Sequence, residues 1–312
     1  MRDFQKPGRS TVYAANGMCA TSHPLAAAVA VDILKAGGNA VDAALAGAVL
    51  LGLCEPQMTG LGGDCFALIH PGPGQDIVAL NASGRAPGTV SSEALRAAGH
   101  ETVPVYGPEA VTIPGAVDGF CALSDRFGRL GLNTVLAPAI RYAEDGIPVA
   151  PRTAFDWAQF ADTLRGPAAE HYLWSGKAPR PGQVFRAPGQ AEALRRIAKE
   201  GRDGFYTGEV MEDLRAALPA AAPHAPEDFA ETRCDWGTPI SGSYRGMEVV
   251  EHPPNGQGAA ALLLLEMLSG LDLAAMDPLG AQRVHLEAEA TKLADDARNR
   301  LIADPSAMAD PG

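Results

Sequence analysis

Residues 17–66 read GMCATSHPLAAAVAVDILKAGGNAVDAALAGAVLLGLCEPQMTGLGGDCF, and this stretch sets the fold: two helices, a glycine loop, then a strand. Ser22 and Pro24 open the first helix, because serine caps free amides and proline is tolerated in the first turn. Leu25, Val29 and Ile33 fall on one face at helical spacing, and Gly37 ends the run. Asn39 suits the cap of a second helix and Asp42 its positive end, while Val41 to Leu53 is apolar all round, which predicts burial.

Outward from this stretch, CFALIH and DIVALN read as strands of a hairpin joined by the turn Pro71 to Gln75. Helical patches are expected at Ser91 to Gly99, Val117 to Phe127, Leu136 to Asp145 and Ala191 to Lys199. The prolines and glycines between Val149 and Gly189 break that stretch into short pieces without marking a domain boundary. Tyr244 to Glu251 alternates as a strand, PPNGQG turns, AALLLLEML continues as an apolar helix, and a last helix is expected from Asp277 to Asp304. Helices flanking apolar strands give a layered mixture of α and β, whose topology the pattern alone leaves open.

The order of motifs carries a resemblance. SHPLA, GGNAVDAA, EP and GLGG in the opening stretch, VTIPGAVDGFCALSDRFGRLGLNTVLAPAIRYAEDGIPV from Val111, GFYTGE from Gly204, SGSYRG from Ser241 and HLEAEATKLADDAR from His285 are collinear with the large subunit of the gamma-glutamyltranspeptidase family. The resemblance implies an α+β fold, the four-layer αββα sandwich of the N-terminal nucleophile hydrolases, made from one precursor that cuts itself into two subunits. On that basis residues 1–312 are expected to be the large-subunit portion of one αββα domain, completed by a separate small subunit. The nucleophile is then a threonine that begins the partner chain, its own amine assisting as base, so no catalytic residue is expected in this chain. No metal or organic cofactor is implied. The expected partners are that small subunit and a small-molecule amide substrate, and a dimer of heterodimers is left open.

Members of the family hold the α-carboxylate of a gamma-glutamyl group through an arginine in a motif like D-x-R-E-x-A-P. The matching stretch here is NASGRAP. Anchored on Ala86 and Pro87, it puts Asn81 at the aspartate position and Ser83 at the arginine position, with Arg85 two residues late. A serine lacks the charged two-pronged grip of guanidinium, so gamma-glutamyl compounds and short amides such as oxamate compete as substrates. Arg85, Ser83 and Asn81 are the substrate-binding candidates, and for Arg85 bracing a loop is as good a reading as binding. Gly62, Gly63 and Asp64 in the glycine loop and Asn255 in PPNGQG are candidates for lining the cleft. Asp64 replaces a glycine common in the family and, with SGRAP, resembles a branch that includes oxamate amidohydrolase-like proteins.

Other chemistries are excluded or outweighed. The glycine loop follows a helix and precedes a strand, the reverse of a dinucleotide loop, and its G-x-G-x-x-G spacing fails at Cys65; close backbone packing is the expected reason for its glycines. Five cysteines without a C-x-x-C pair read as buried free thiols, against a nucleophile at Cys65 or Cys121. His285, Glu287 and Glu289 read as a helix-face salt-bridge set and not as a metal site, and His23 as a helix-start hydrogen bonder and not as a general base. A net charge of −12 opposes nucleic-acid binding. Val41 to Leu53 is too short to span a bilayer and MRDFQKPGRSTVYAANG lacks a signal-peptide core, so no membrane partner and a cytoplasmic location are expected. The competitor from another class is a binding protein that keeps the fold without its nucleophile.

Overall fold

The first helix of the computed structural model, α1 (Pro24–Lys35), begins one residue later than a serine cap would place it. His23 is the cap: its Nδ1 accepts from the Leu25 amide at 3.2 Å, whereas the Ser22 hydroxyl donates to the Glu55 carboxylate at 2.5 Å. A serine cap was expected because serine is the commoner choice. A neutral imidazole provides the same lone pair, and Glu55 takes the serine away. The buried face of α1 is Ala26, Val29, Ala30 and Ile33, with Leu25 half-buried at its margin.

Helix α2 (Ala40–Cys54) follows with the expected asparagine cap. Asn39 Oδ1 accepts from the Val41 and Asp42 amides, and Asp42 returns the bond by accepting from the Asn39 amide, all at 3.0 Å. This is a reciprocal capping box. Asp42 does more than complement the helix dipole, since its carboxylate also accepts from the backbone amides of Arg129 at 3.0 Å and Leu130 at 3.3 Å and is fully buried. Ala43, Leu45, Ala46, Val49, Leu50 and Leu53 are buried around most of the α2 circumference.

The structure describes residues 10–220 and 222–308, so the first nine residues of the N-terminal stretch read above lie outside it. The chain divides into two units, one drawn from Met1–Gly63 and Arg85–Thr232, the other from Asp64–Gly84 and Arg233–Gly312. In the first, α2 packs against α1, against α3 (Ala116–Phe127) and against α4 (Leu132–Asp145), and α4 in turn packs on α5 (Pro188–Glu200). Shorter helices at Ser92–Ala97, Pro151–Phe160, Gly166–Tyr172 and Gly208–Ala216 fill the proline- and glycine-broken stretches. Two sequence motifs lock together here. The Tyr206 hydroxyl donates to the Pro114 carbonyl at 2.6 Å and accepts from the Asp118 amide at 3.1 Å, and Arg202 Nε donates to the Asp118 carboxylate at 2.8 Å.

The second unit holds the hairpin β1 (Cys65–Ile69) and β2 (Val78–Ala82), antiparallel with Cys65 opposite Ala82, as the alternation predicts. A third strand, β3 (Asp235–Gly237), joins β2 on its other side. The expected single strand Tyr244 to Glu251 is instead a second hairpin, β4 (Ile240–Tyr244) and β5 (Met247–Glu251). Arg245 and Gly246, both at positive φ, make its two-residue turn. Helix α6 (Gly258–Ser269) packs on β4 and β5, and α7 (Ala281–Leu301) packs on α6. Leu268, Leu273 and Ala290 form a small core there with Tyr244, Leu264 and Met267 around it.

Candidate active site

Strand β2 delivers the candidate site. Ala79, Leu80 and Ala82 are buried and anchor the strand, while Asn81, which stands opposite Phe66 of β1 and Asp235 of β3, is half-buried at its end. Asn81 Oδ1 accepts from the Ser83 amide at 3.0 Å, a side-chain turn that bends the chain as it leaves the sheet. The PPNGQG turn brings Asn255 to this bend. Asn81 Nδ2 donates to Asn255 Oδ1 at 2.8 Å, and Asn255 Nδ2 donates to the Ser83 hydroxyl at 3.2 Å. Asn81, Ser83 and Asn255 thus form one neutral hydrogen-bonded cluster, with Asn255 exposed. Such a cluster can both donate to and accept from a small polar acyl group, and it carries no charge with which to clamp a carboxylate.

A residue that sequence reasoning missed backs the cluster. His252 Nε2 lies 2.8 Å from the Leu80 carbonyl and Nδ1 3.0 Å from the Pro253 carbonyl, so the neutral ring donates its one proton to one of the two. The only local signal was a histidine beside two prolines.

Arg85, Gly62 and Gly63 belong to the first unit. Arg85 is exposed, and its carbonyl accepts from the Ile113 amide at 2.8 Å in an isolated bridge. The following residues are pinned as well: the Gly88 amide donates to Asp228 at 3.0 Å and the Thr89 hydroxyl to the Pro223 carbonyl at 3.1 Å. The Gly63 carbonyl accepts from the amides of Gly115 at 3.0 Å and Ala116 at 3.1 Å, which ties the glycine loop to the start of α3. Close packing does not explain Gly60 and Gly62, where an added Cβ would meet nothing within 4 Å; the tight contact is at Gly52 of α2, where an added Cβ would stand 3.3 Å from the Gly60 Cα.

Asp64, in the second unit, is exposed, and its charge adds to burial in pushing the Cys65 thiol up to about 11. Burial likewise lifts Cys54 and Cys121 to about 12. Burial that disfavours the thiolate counts against the cysteine-nucleophile reading. Along α7, Arg283 Nε pairs with Glu287 at 2.8 Å and Lys292 Nζ with Glu289 at 2.6 Å, so both carboxylates stand in helix-face ion pairs while His285 is exposed. Burial lowers the basicity of His23 against the opposing pull of Glu55, which suits its role as a neutral cap.

A family model described as gamma-glutamyltranspeptidase matches residues 26–311. The chain belongs to that family. It has the α+β fold of the family's N-terminal nucleophile hydrolases. Among its relatives are the glutathione hydrolase-like YwrD proenzyme of Bacillus subtilis, 34% identical over 93% of this chain and 55% of that protein. The oxamate amidohydrolase proenzyme of Klebsiella pneumoniae is 38% identical over 93% of this chain and 56% of its own length. Among solved structures, cephalosporin acylase from Bacillus halodurans superimposes with a TM-score of 0.89 at 41% identity, covering 98% of this chain and 59% of that one. The chain therefore spans about half the length of the curated relatives it matches. Among the described residues, no helix of this gamma-glutamyltranspeptidase-family chain is long and apolar enough to cross a membrane.

Proposed function

We propose that this chain is the large-subunit portion of an autoprocessed gamma-glutamyltranspeptidase-family enzyme that hydrolyses, or transfers the acyl group of, gamma-glutamyl compounds or related small amides. The observation that carries the reading is coverage: nearly the whole chain aligns with little more than half of relatives named as proenzymes. Burial supports a missing partner. Helix α6 is the apolar GAAALLLLEMLS, yet only its Gly258 and Leu268 are buried, and Leu263 stays 39% exposed. Phe66 and Leu68 on β1 are likewise 40% and 42% exposed. A small subunit would cover such surface.

In this mechanism the threonine that begins the small subunit attacks the amide carbonyl, the amine leaves, and water or an acceptor amine takes the acyl group from the threonine. The part played by this chain is acyl recognition. The Asn81–Ser83–Asn255 cluster supplies neutral donors and acceptors at the place where the family's motif supplies a guanidinium, so it can bind an amide but offers no charged grip to a substrate carboxylate, whether that of a gamma-glutamyl group or that of oxamate. Arg85 stays a separate candidate for holding a carboxylate, tested by Arg85→Lys.

The test uses the full-length protein. Mass analysis of an active sample should show a second, Thr-initiated polypeptide. Turnover of oxamate and of a gamma-glutamyl anilide at matched enzyme concentration should be measurable for at least one of the two, and their ratio assigns the substrate class. A single uncut chain, or turnover of neither compound, sinks the proposal.

A further inference from the structure

We infer that His252 is the positioning residue of the Asn81–Ser83–Asn255 cluster: its imidazole fixes the distance between the Asn255 turn and the end of β2. The inference rests on the reading of that cluster as the acyl-recognition surface, and it goes beyond it by naming what sets the cluster's geometry.

The argument starts from the weakness of the cluster itself. Its two inter-segment bonds, Asn81 to Asn255 and Asn255 to Ser83, join neutral groups, and Asn255 is exposed. Water competes for both bonds, so they cannot by themselves hold two segments 174 residues apart in sequence. His252 makes the attachment where water competes less. Both ring nitrogens face carbonyl oxygens, which only accept, and a neutral imidazole has one proton to give; we assign it to the shorter contact, Nε2 to the carbonyl of Leu80, whose side chain is fully buried. Leu80 immediately precedes Asn81. The other ring nitrogen lies 3.0 Å from the carbonyl of Pro253, two residues before Asn255. One planar ring thus touches the backbone next to Asn81 and the backbone two residues before Asn255.

Two contacts hold that ring and its backbone. Phe66 of β1 packs edge-on against it, with centroids 4.9 Å apart at 76°. At the other end of the turn, a Cβ added to Gly258 would stand 2.3 Å from the His252 carbonyl and 2.9 Å from the Glu251 Cβ, so the start of α6 abuts the backbone that carries the imidazole. The turn from His252 to Gly258 is held at both ends, and Asn255 lies at its middle.

The experiment compares His252→Leu, which removes the bond to Leu80, with His252→Gln, whose amide Nε2 can still donate to that carbonyl. Both are made in the full-length processed protein, and oxamate and a gamma-glutamyl anilide are the probes. His252→Leu is expected to raise KM for the turned-over probe by about tenfold, the worth of one such bond, with kcat changed less than about threefold. His252→Gln should recover most of the loss. In an Asn255→Ala background, His252→Leu should cost nothing further, because a residue that acts through Asn255 has nothing left to position. Hydrogen exchange of the peptide covering residues 250–258 should speed up in the Leu variant and not in the Gln variant, whether or not the protein turns over either probe.

An unchanged KM with unchanged exchange in His252→Leu overturns the inference, as do equal losses in Leu and Gln or additive losses with Asn255→Ala. If the wild type turns over neither probe, the proposed function fails and the exchange result alone decides His252. If Asn255→Ala leaves KM unchanged while exchange behaves as expected, the cluster is not the recognition surface and His252 still positions it. Should His252→Leu fail to fold, His252→Asn, too short to reach Leu80, takes its place in each comparison.

Discussion

Asp42→Ala tests the reasoning about the first unit most directly. The carboxylate is fully buried and accepts from three backbone amides: Asn39 at 3.0 Å, Arg129 at 3.0 Å and Leu130 at 3.3 Å. Alanine leaves all three donors without an acceptor in a site closed to solvent. At about 1 to 2 kcal/mol for each stranded donor, the loss is about 3 to 6 kcal/mol, a large share of a typical stability. A thermal scan of the full-length protein should show its midpoint fall by about 6 to 24 °C at 2 to 4 °C per kcal/mol. Asp42→Asn should lose less, because one carboxamide oxygen can still receive two amides while the NH2 is turned against a third. Gly128→Ala should reproduce part of the damage from the other side, since its Cβ would stand 2.5 Å from the Ser124 carbonyl and 3.0 Å from Asp42 Oδ1. A fall of less than about 3 °C in Asp42→Ala would refute the account, and would mean that water replaces the carboxylate at little cost.

Two further outcomes are expected. Restoring the family's charged pattern with Asn81→Asp and Ser83→Arg keeps the acceptor for the amide of residue 83 and adds a guanidinium, so kcat/KM for the gamma-glutamyl anilide should rise about 10- to 100-fold; an unchanged value in a folded, processed double variant would count against this segment as the acyl-binding surface. The His23 cap works only while the imidazole is neutral, and burial lowers its pKa below the ordinary value near 6.5. The unfolded chain then takes up the proton first, so the cap's contribution is present above about pH 6.5 and is lost as pH falls through the folded value, up to about 1 kcal/mol in all. His23→Asn should keep the cap and flatten this acid limb of a pH series of unfolding midpoints; a limb of the same slope in the variant would mean that another group titrates.

Local physics made much of the fold legible. Alternation located the first hairpin, the asparagine cap and all-round apolar character located α2, and both hold in the structure. The failures have local causes too. The choice of His23 over Ser22 depends on Glu55, 33 residues away from Ser22, taking the serine hydroxyl. Strand β3 is too short, at three residues, to show a period, and the turn of the second hairpin is masked because only its second residue is the glycine such a turn favours, Arg245 being an uncommon residue at positive φ. At the candidate site the motif comparison points to Asn81 and Ser83 and the PPNGQG turn to Asn255, but their meeting joins positions 174 residues apart, and no spacing rule reports it. His252 was invisible for the same reason, since its partner carbonyl is 172 residues away.

The sheet β1–β2–β3 has a consequence for synthesis. Its first two strands leave the ribosome early, but β3 lies beyond residues 85–232, all of which belong to the other unit. At about 5 to 20 residues per second, those roughly 150 residues take some 7 to 30 seconds to make. During that interval β2 has an open edge and Leu80 waits for both Trp236 and the His252 imidazole. A nascent chain arrested before residue 235 should therefore carry a finished helical unit beside an unfinished sheet, and it is this intermediate that a chaperone would have to shield.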